Sequence, residues 1–305
     1  MYHGTLYPCY AAPDRCQANR SGYLLIDLGG YNMYTRPSVL ALRPAPVQAQ
    51  FMGYADTMGA KFIDYLLADR WLINDELAQH CSEQIVYLPQ AFVSSSMPLA
   101  DTVPNRRDCG LPDDAVVFCC FNAYYKIDPP VFDAWMQILQ QVPEGILWLK
   151  TGPAAAMDNL RREARKRGIE PSRLYFADNL PEPEYLARYR VANLFLDTFS
   201  YCASSTGVCA LYAGLPLLTR PGVSNASRMG ASLCAAAGLG DLICTDTDSY
   251  VQTAVDLACQ PARLAEHRQR LATRQAPIFD IKRFAGCLET AYRQMWAQYQ
   301  QGQAP

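Results

Sequence analysis

The feature that most constrains this chain is a regular alternation of apolar runs and helical patterns through its second half. Apolar runs at 116–121, 146–150, 173–176, 193–197, 215–219 and 242–245 are each followed by a segment of helical spacing, at 130–142, 154–167, 182–190, 208–213, 226–237 and 249–257. Two more helical stretches, 262–274 and 282–300, finish the chain. Glycines at 168, 214 and 238 stop three of these helices. Pro129 and Pro130 suit a first helical turn, where an N–H would have no partner. Short apolar strands separated by helices pair in parallel, so six consecutive βα units predict a doubly wound parallel sheet.

The first half is less regular. Residues 23–28 predict a strand ended by Gly29 and Gly30, 47–54 a second and 84–88 a third. Between the last two, 57–69 carry apolar positions at helical spacing and predict a helix. The pattern is again α/β but too short for a full doubly wound sheet. Residues 23–91 therefore predict a partial Rossmann-like domain, 92–114 a linker rich in Pro, Ser, Asp and Asn, and 115–302 a second domain. Residues 1–22 show no clear period and stay unassigned.

Composition narrows the classes. A chain of 305 residues can hold two domains, and 50% hydrophobic with 18% charged residues describes a folded globule. A net charge of -2 without a basic run argues against nucleic-acid binding. No apolar stretch approaches the ~20 residues that span a bilayer, and the N-terminus lacks the pattern of a secretion signal. The 12 cysteines form no CxxC pair and read as small buried hydrophobes in a reducing, cytoplasmic setting. Only three histidines are present (His3, His80 and His267), none beside a cysteine pair, so no metal site is expected.

Ligands on doubly wound sheets bind at the carboxyl ends of the strands, which places the 121–128, 177–185 and 199–207 loops along one edge. The third loop runs through Ala203, Ser204, Ser205, Thr206 and Gly207 into a helix. A strand, a small hydroxyl-rich turn and a helix start make an anion site, because free N–H groups and the macrodipole meet there. Its hydroxyls add donors and are expected to cap the helix, as they would in any ordinary N-cap. The first loop offers Lys126 beside two tyrosines; a lysine with a helix N-terminus suits a diphosphate. The middle loop contains neither GxGxxG nor GxxxxGK[ST], so dinucleotide and P-loop readings fail. Arg188, just after that loop, either faces a base or solvates its helix.

FNAYYKIDP, the preceding DCGLPDDAVVFCC, the long ALRPAPVQAQFMGYADTMGAKFIDYLLAD, SSTGVCALYAGLPLLT followed by ASR, and the tail FAGCLETAYRQMWAQYQQG appear in one order. Together they resemble the catalytic region of the O-linked N-acetylglucosamine transferases and SPINDLY-like proteins, glycosyltransferase family 41. The resemblance implies a GT-B fold of two Rossmann-like domains, here with the N-terminal one incomplete. It also implies metal-independent, inverting transfer of a sugar to Ser or Thr of proteins, usually N-acetylglucosamine from UDP. The implied partners are a nucleotide sugar and a protein acceptor, with no separate cofactor. On that likeness Lys126 steadies the leaving UDP, and Ser204, Ser205, Thr206 and Gly207 form the phosphate loop. Cys209, Arg188, Tyr185 and Leu180 fall at the nucleoside, and Gly59 beside the donor sugar.

Departures from the family pattern matter as well. Ser204 stands where the family has His, Cys209 where an Asp holds the ribose, Glu182 where a Lys serves it, Tyr185 where a His packs on uracil, and Ala123 where Gln or Asn is usual. These changes leave two alternatives: a non-catalytic relative acting as an interaction module, or an altered donor such as GDP-fucose or UDP-glucose. The family carries TPR repeats and most of its first Rossmann domain ahead of the YLLIDLGGYN strand. Their absence here predicts exposed apolar sheet faces and leaves no general base to carry over.

Overall fold

The computed structural model describes residues 24–54, 56–95, 97 and 103–303. Residues 1–22 and part of the 92–114 linker lie outside the described residues. Strands β1 (Leu24–Asp27), β2 (Val47–Phe51), β3 (Tyr65–Ala68) and β4 (Gln84–Tyr87) form a parallel sheet in sequence order. Two short helices, α1 (Pro37–Ala41) and α2 (Asp75–Ala78), decorate it. Each is too short to leave a period in the sequence.

The helix expected at 57–69 does not form. Residues 57–64 are loop and 65–68 are β3. Tyr65, Leu66, Leu67 and Ala68 are all buried, and β3 lies between β2 and β4. A short run apolar on both faces is what a central parallel strand requires, and period alone cannot separate it from a helix. The buried Glu83 carboxylate then ties down the loop, accepting from the Met58 N–H at 2.7 Å and from the Thr57 hydroxyl.

The second sheet holds β5 (Val116–Cys120), β6 (Gly145–Lys150), β7 (Leu174–Ala177), β8 (Leu194–Leu196) and β9 (Leu217–Leu218). All are parallel, in the order β7-β6-β5-β8-β9. The strand expected at 242–245 reduces to a single bridge between Thr219 and Ile243. A tight turn at Gly240–Leu242 takes up its first residue, so six units yield five strands. Helices α3 (Pro129–Gln141), α4 (Ala154–Lys166), α5 (Glu182–Ala187), α6 (Ser205–Tyr212), α7 (Met229–Ala236), α8 (Thr247–Cys259) and α9 (Pro261–Ala272) complete the unit, and α10 (Ile281–Gln300) follows and returns to the first sheet. Asp128 caps α3 by accepting from the Val131 N–H at 3.0 Å. The strand order reverses between β5 and β8, and a crevice opens there at the strand ends.

Neither face of the first sheet is bare. Val47, Ala49, Phe51, Tyr65 and Leu67 pack under Phe284, Ala291 and Met295 of α10. Leu66, Ala68, Leu72 and Phe92 join the large core of the second unit. The period of two along β3 thus sends alternate residues to the two covers. The expectation of exposed sheet faces is corrected because the chain's own C-terminal helix returns to cover one of them. At the β1 end Leu28, Tyr31, Met33 and Tyr34 face solvent. Polar bonds also join the units: Asn225 Nδ2 donates to Asp56 Oδ1 at 2.7 Å, Arg228 Nε to the Trp71 carbonyl at 2.9 Å, and Ser232 to the buried Asp69. Among the described residues no helix is long and apolar enough to cross a membrane.

Candidate active site

The site is built on Asp197, just beyond β8. Its carboxylate is fully buried; Oδ1 accepts from the N–H groups of Thr198 (2.8 Å) and Ala203 (2.7 Å), and Oδ2 from the Thr219 hydroxyl (2.8 Å). Burial pushes its pKa up, and these bonds pull against that. On α7, a Cβ at Gly230 would lie 2.1 Å from Asp197 Oδ2 and 2.4 Å from Thr219 Oγ1, so only glycine leaves room for the carboxylate. Thr198 Oγ1 donates to the Tyr201 carbonyl at 2.6 Å and accepts from Asn122 Nδ2 at 2.8 Å. Asn122 in turn accepts from the Thr206 hydroxyl. Side chains thus lock the loop after β5 to the loop after β8.

This lock shapes the start of α6. Ser204 is the N-cap residue, with φ -111° and ψ -95°, and its side chain makes no capping bond. The expected cap is therefore missing. The N–H groups of Ser204, Ser205, Thr206 and Gly207 have no hydrogen-bond partner among the described residues. The helix presents a row of unengaged donors at its positive end. Gly207 has a packing reason as well: a Cβ there would sit 2.8 Å from Leu233 Cδ1 on α7.

Lys126 closes a short turn, Tyr124–Lys126, beyond β5. Its Nζ donates to the Cys202 carbonyl at 2.9 Å and sits 3.8 Å from the centre of the Tyr201 ring. Burial lowers its pKa below the usual lysine range, and the charge on Asp197 offsets part of that. Lys126, Ser204, Ser205 and Val208 face Met52, Phe92, Ser94 and Met97 across a hollow of about 510 Å³ between the units. A smaller hollow of about 160 Å³ adjoins it, and Tyr201 and Ser204 line both.

The other candidates lie elsewhere. Arg188 is 2% exposed, with its guanidinium between the rings of Phe121 (4.3 Å) and Tyr185 (4.4 Å). It donates to the Asp178 carbonyl, and its Nε has no partner. The Tyr185 hydroxyl pairs with that of Tyr189 at 2.6 Å, and burial pushes the Tyr185 pKa up to about 12. Leu180 and Arg188 line a separate hollow of about 460 Å³. Cys209 is half-buried with its Sγ 3.7 Å from Met97 Sδ; burial first, then Glu182, pushes the thiol up to about 11. Glu182 and Ala123 hold no side-chain bond of note, and Glu182 is exposed at the start of α5. Gly59 is exposed at φ +60° and lines neither hollow of the crevice.

The structure therefore brings Lys126, Ser204 and Ser205 to one surface, with Thr206 and Gly207 directly behind. Three residues escaped the sequence reading: Asp197, taken only as the end of an apolar run, Asn122, the first polar residue after an apolar strand, and Tyr201, hidden as one more aromatic in FSYC. The position of Asn122 at a strand end was the available signal.

Comparison with known proteins agrees with this architecture. The model of glycosyl transferase family 41 matches residues 7–97 and 93–288. A probable UDP-N-acetylglucosamine--peptide N-acetylglucosaminyltransferase SEC of Arabidopsis thaliana is 35% identical over 292 residues, 92% of this chain and 30% of its own length. The corresponding SPINDLY protein of Oryza sativa is 33% identical over 92% of this chain and 31% of its own length. The chain thus spans less than a third of these curated relatives. A point mutant of the Thermobaculum terrenum O-GlcNAc transferase superposes with a TM-score of 0.85 at 30% identity, covering 93% of this chain and 55% of that one. Sucrose-phosphate synthase from Thermosynechococcus elongatus shares the fold alone, with a TM-score of 0.56 at 16% identity, covering 77% of this chain and 59% of that one. Two parallel α/β units with a crevice between them are a GT-B architecture, and by its sequence this chain belongs to glycosyl transferase family 41.

Proposed function

We propose that the crevice binds a nucleotide sugar by its diphosphate and that the chain transfers the sugar to a Ser or Thr hydroxyl of a protein. The relatives' names give UDP-N-acetylglucosamine as donor and a peptide as acceptor. The observation that carries the reading is the pairing of Lys126 with the four unengaged N–H groups at the start of α6. In the transfer the acceptor hydroxyl oxygen attacks the anomeric carbon from the face opposite the diphosphate, and its proton passes to water or to the departing diphosphate. The bond from that carbon to the phosphate oxygen breaks, and its electron pair stays on the departing diphosphate. Preorganised donors aimed at that growing charge lower the barrier. Lys126 supplies a full positive charge there, and the helix N-terminus a partial one. No metal ion enters this scheme, and the donor needs no separate cofactor. A cytoplasmic setting fits the free thiols found at all ten described cysteines.

A second reading has its own observation. Cys209 offers a neutral thiol turned to Met97, a poor partner for ribose hydroxyls. That favours a changed nucleoside or a weak donor site, and in the limit a non-catalytic interaction module. Calorimetric titration with UDP and with GDP separates these. Saturable UDP binding that falls about 10- to 100-fold in Lys126→Ala supports the donor site, the size expected for one charge-assisted contact. GDP binding in place of UDP supports the changed donor, and no binding of either supports the interaction module.

A further inference from the structure

The first sheet ends on a strand that is paired along one side only. β4 is bonded to β3, with the Gln84 N–H donating to the Asp64 carbonyl at 2.9 Å and the Leu88 N–H to the Ala68 carbonyl at 2.7 Å. Backbone groups alternate along a strand, so those of Ile85 and Tyr87 point away from the sheet, and no bond to them is found among the described residues. Such an edge is usually guarded by a charge or a proline. Gln84–Tyr87 holds neither. A hollow opens on each face of this edge. Val86 packs on the α10 side of the sheet and Ile85 on the other. On the α10 side, about 410 Å³ lies between Val86 to Pro89 and the row of Arg283, Gly286, Cys287, Thr290 and Gln294. On the other side, about 530 Å³ lies between Tyr87 to Gln90 and Arg70, Trp71, Ala235 and Pro277. The residues common to both are Tyr87, Leu88 and Pro89, the chain that runs between them.

We propose that the β4 edge takes an extended segment of a partner polypeptide as a fifth strand. The backbone of that segment answers the N–H and C=O groups of Ile85 and Tyr87, and its alternate side chains enter the two hollows. The α10 hollow is lined by small groups. Gly286 is not demanded by the fold, because a Cβ there would meet nothing within 4 Å. A glycine inside a helix costs stability, and what this one leaves is room. The Thr290 hydroxyl donates to the Gly286 carbonyl at 2.8 Å, so its polarity is satisfied within the helix. That wall suits Val, Ile or Leu. The opposite hollow is aromatic and cationic. Trp71 is 44% exposed, and the Arg70 guanidinium lies 4.1 Å from the centre of the Tyr87 ring. Its floor is fixed, since the buried Asp69 carboxylate accepts from the N–H groups of Trp71 (2.8 Å), Leu72 (2.9 Å) and Phe92 (2.7 Å). That wall suits Phe, Tyr or Trp, by ring packing and by contact with Arg70. The partner is thus a segment in which aliphatic and aromatic side chains alternate. The surface needs no nucleotide and goes beyond the donor reading.

The test pans a displayed library of random peptides on the immobilised chain, and the enriched peptides are then synthesised and titrated by calorimetry. Enriched sequences are expected to alternate aliphatic and aromatic residues. Methylating the backbone nitrogen of every second residue should weaken binding about tenfold in one register and leave it unchanged in the other, since only alternate N–H groups meet an edge strand. Gly286→Arg fills the α10 hollow and should weaken the same peptides by at least about tenfold. Ile85→Pro removes one outward N–H and should act in the same direction. Both variants should keep the wild-type dissociation constant for UDP, because neither residue lines the hollow beside α6. If Ile85→Pro does not fold, Gly286→Arg and the methylated peptides decide alone. No enriched peptide, or peptides indifferent to Gly286→Arg or to the register of methylation, overturns the proposal. So does a dimer in sedimentation that Gly286→Arg dissolves, which would give the edge to a second copy of the chain. Absence of UDP binding in wild type would remove the donor reading and leave this one standing.

Discussion

Two regions of the second unit are built on opposite plans, the start of α6 beside the crevice and the cluster around Arg188. At the start of α6 the donors stay unengaged: among the described residues the N–H groups of Ser204 to Gly207 and the hydroxyls of Ser204 and Ser205 have no partner, and Lys126 meets a carbonyl and a ring. Around Arg188 the side chains answer one another. Arg188 is sandwiched between Phe121 and Tyr185, Tyr185 is bonded to Tyr189, and Cys209 turns to Met97. Unengaged donors at a helix start beside a lysine can take an anion, because free N–H groups and the macrodipole meet there. A self-satisfied cluster marks a surface whose first duty is packing. On the proposed reading, the first region is the one that meets the phosphates and the second the one where this chain departs from the family pattern.

The comparison breaks most completely at Gly230. Gly230→Ala places a methyl against Asp197 and Thr219, and the loop that presents the α6 donors must shift. We expect a loss of about 2–3 kcal/mol in denaturant unfolding, with UDP binding lost at the same time. A variant of unchanged stability would show that the Asp197 lock does not hold the phosphate end together.

A pH series sharpens the role of Lys126. Its folded-state pKa is lowered by burial, so on raising the pH it loses its proton before an unfolded-chain lysine does. Through that alkaline window the unfolded state binds more protons, and this group makes folding more favourable as pH rises. Anion binding moves the other way, because the charge is gone. UDP affinity should thus fall at pH values below the ordinary lysine value of about 10.4 without loss of folded protein. In Lys126→Arg that fall should vanish, since arginine stays charged.

Restoring the family pattern is the converse experiment. Cys209→Asp together with Ser204→His should tighten UDP binding by about tenfold, one charge-assisted bond's worth. An unchanged dissociation constant would mean that the nucleoside end is not a decayed form of the family's pocket. The smallest effect is expected at Tyr185→Phe. It removes one hydroxyl pair and should cost about 1 kcal/mol of stability while leaving UDP affinity unaltered. A large drop in affinity would place Tyr185 on the nucleoside after all.

Much of this was readable beforehand, and the failures have physical causes. The βα alternation gave the parallel sheet, because strands covered on both faces leave continuous apolar runs. That Lys126, Ser204 and Ser205 meet at one surface was readable because the loops after parallel strands gather at one edge of such a sheet. The 65–68 run was misread as helix because a fully buried strand and a buried helix look alike over four residues. The run at 242–245 failed as a strand because its pairing with Thr219 ends after one bridge. Tyr201 was missed because an aromatic beside an apolar strand has no local sign of facing a crevice.

The sequence by itself determined the class of fold and the family, since both are written in local pattern and order. Only the tertiary structure decided which donors stay unengaged, that α10 closes the first sheet, and which residues of the two units face each other across the crevice. Those are consequences of contacts between residues far apart in the chain, such as Asn122 with Thr198, Asp56 with Asn225 and Phe51 with Phe284, and no local pattern encodes a distance.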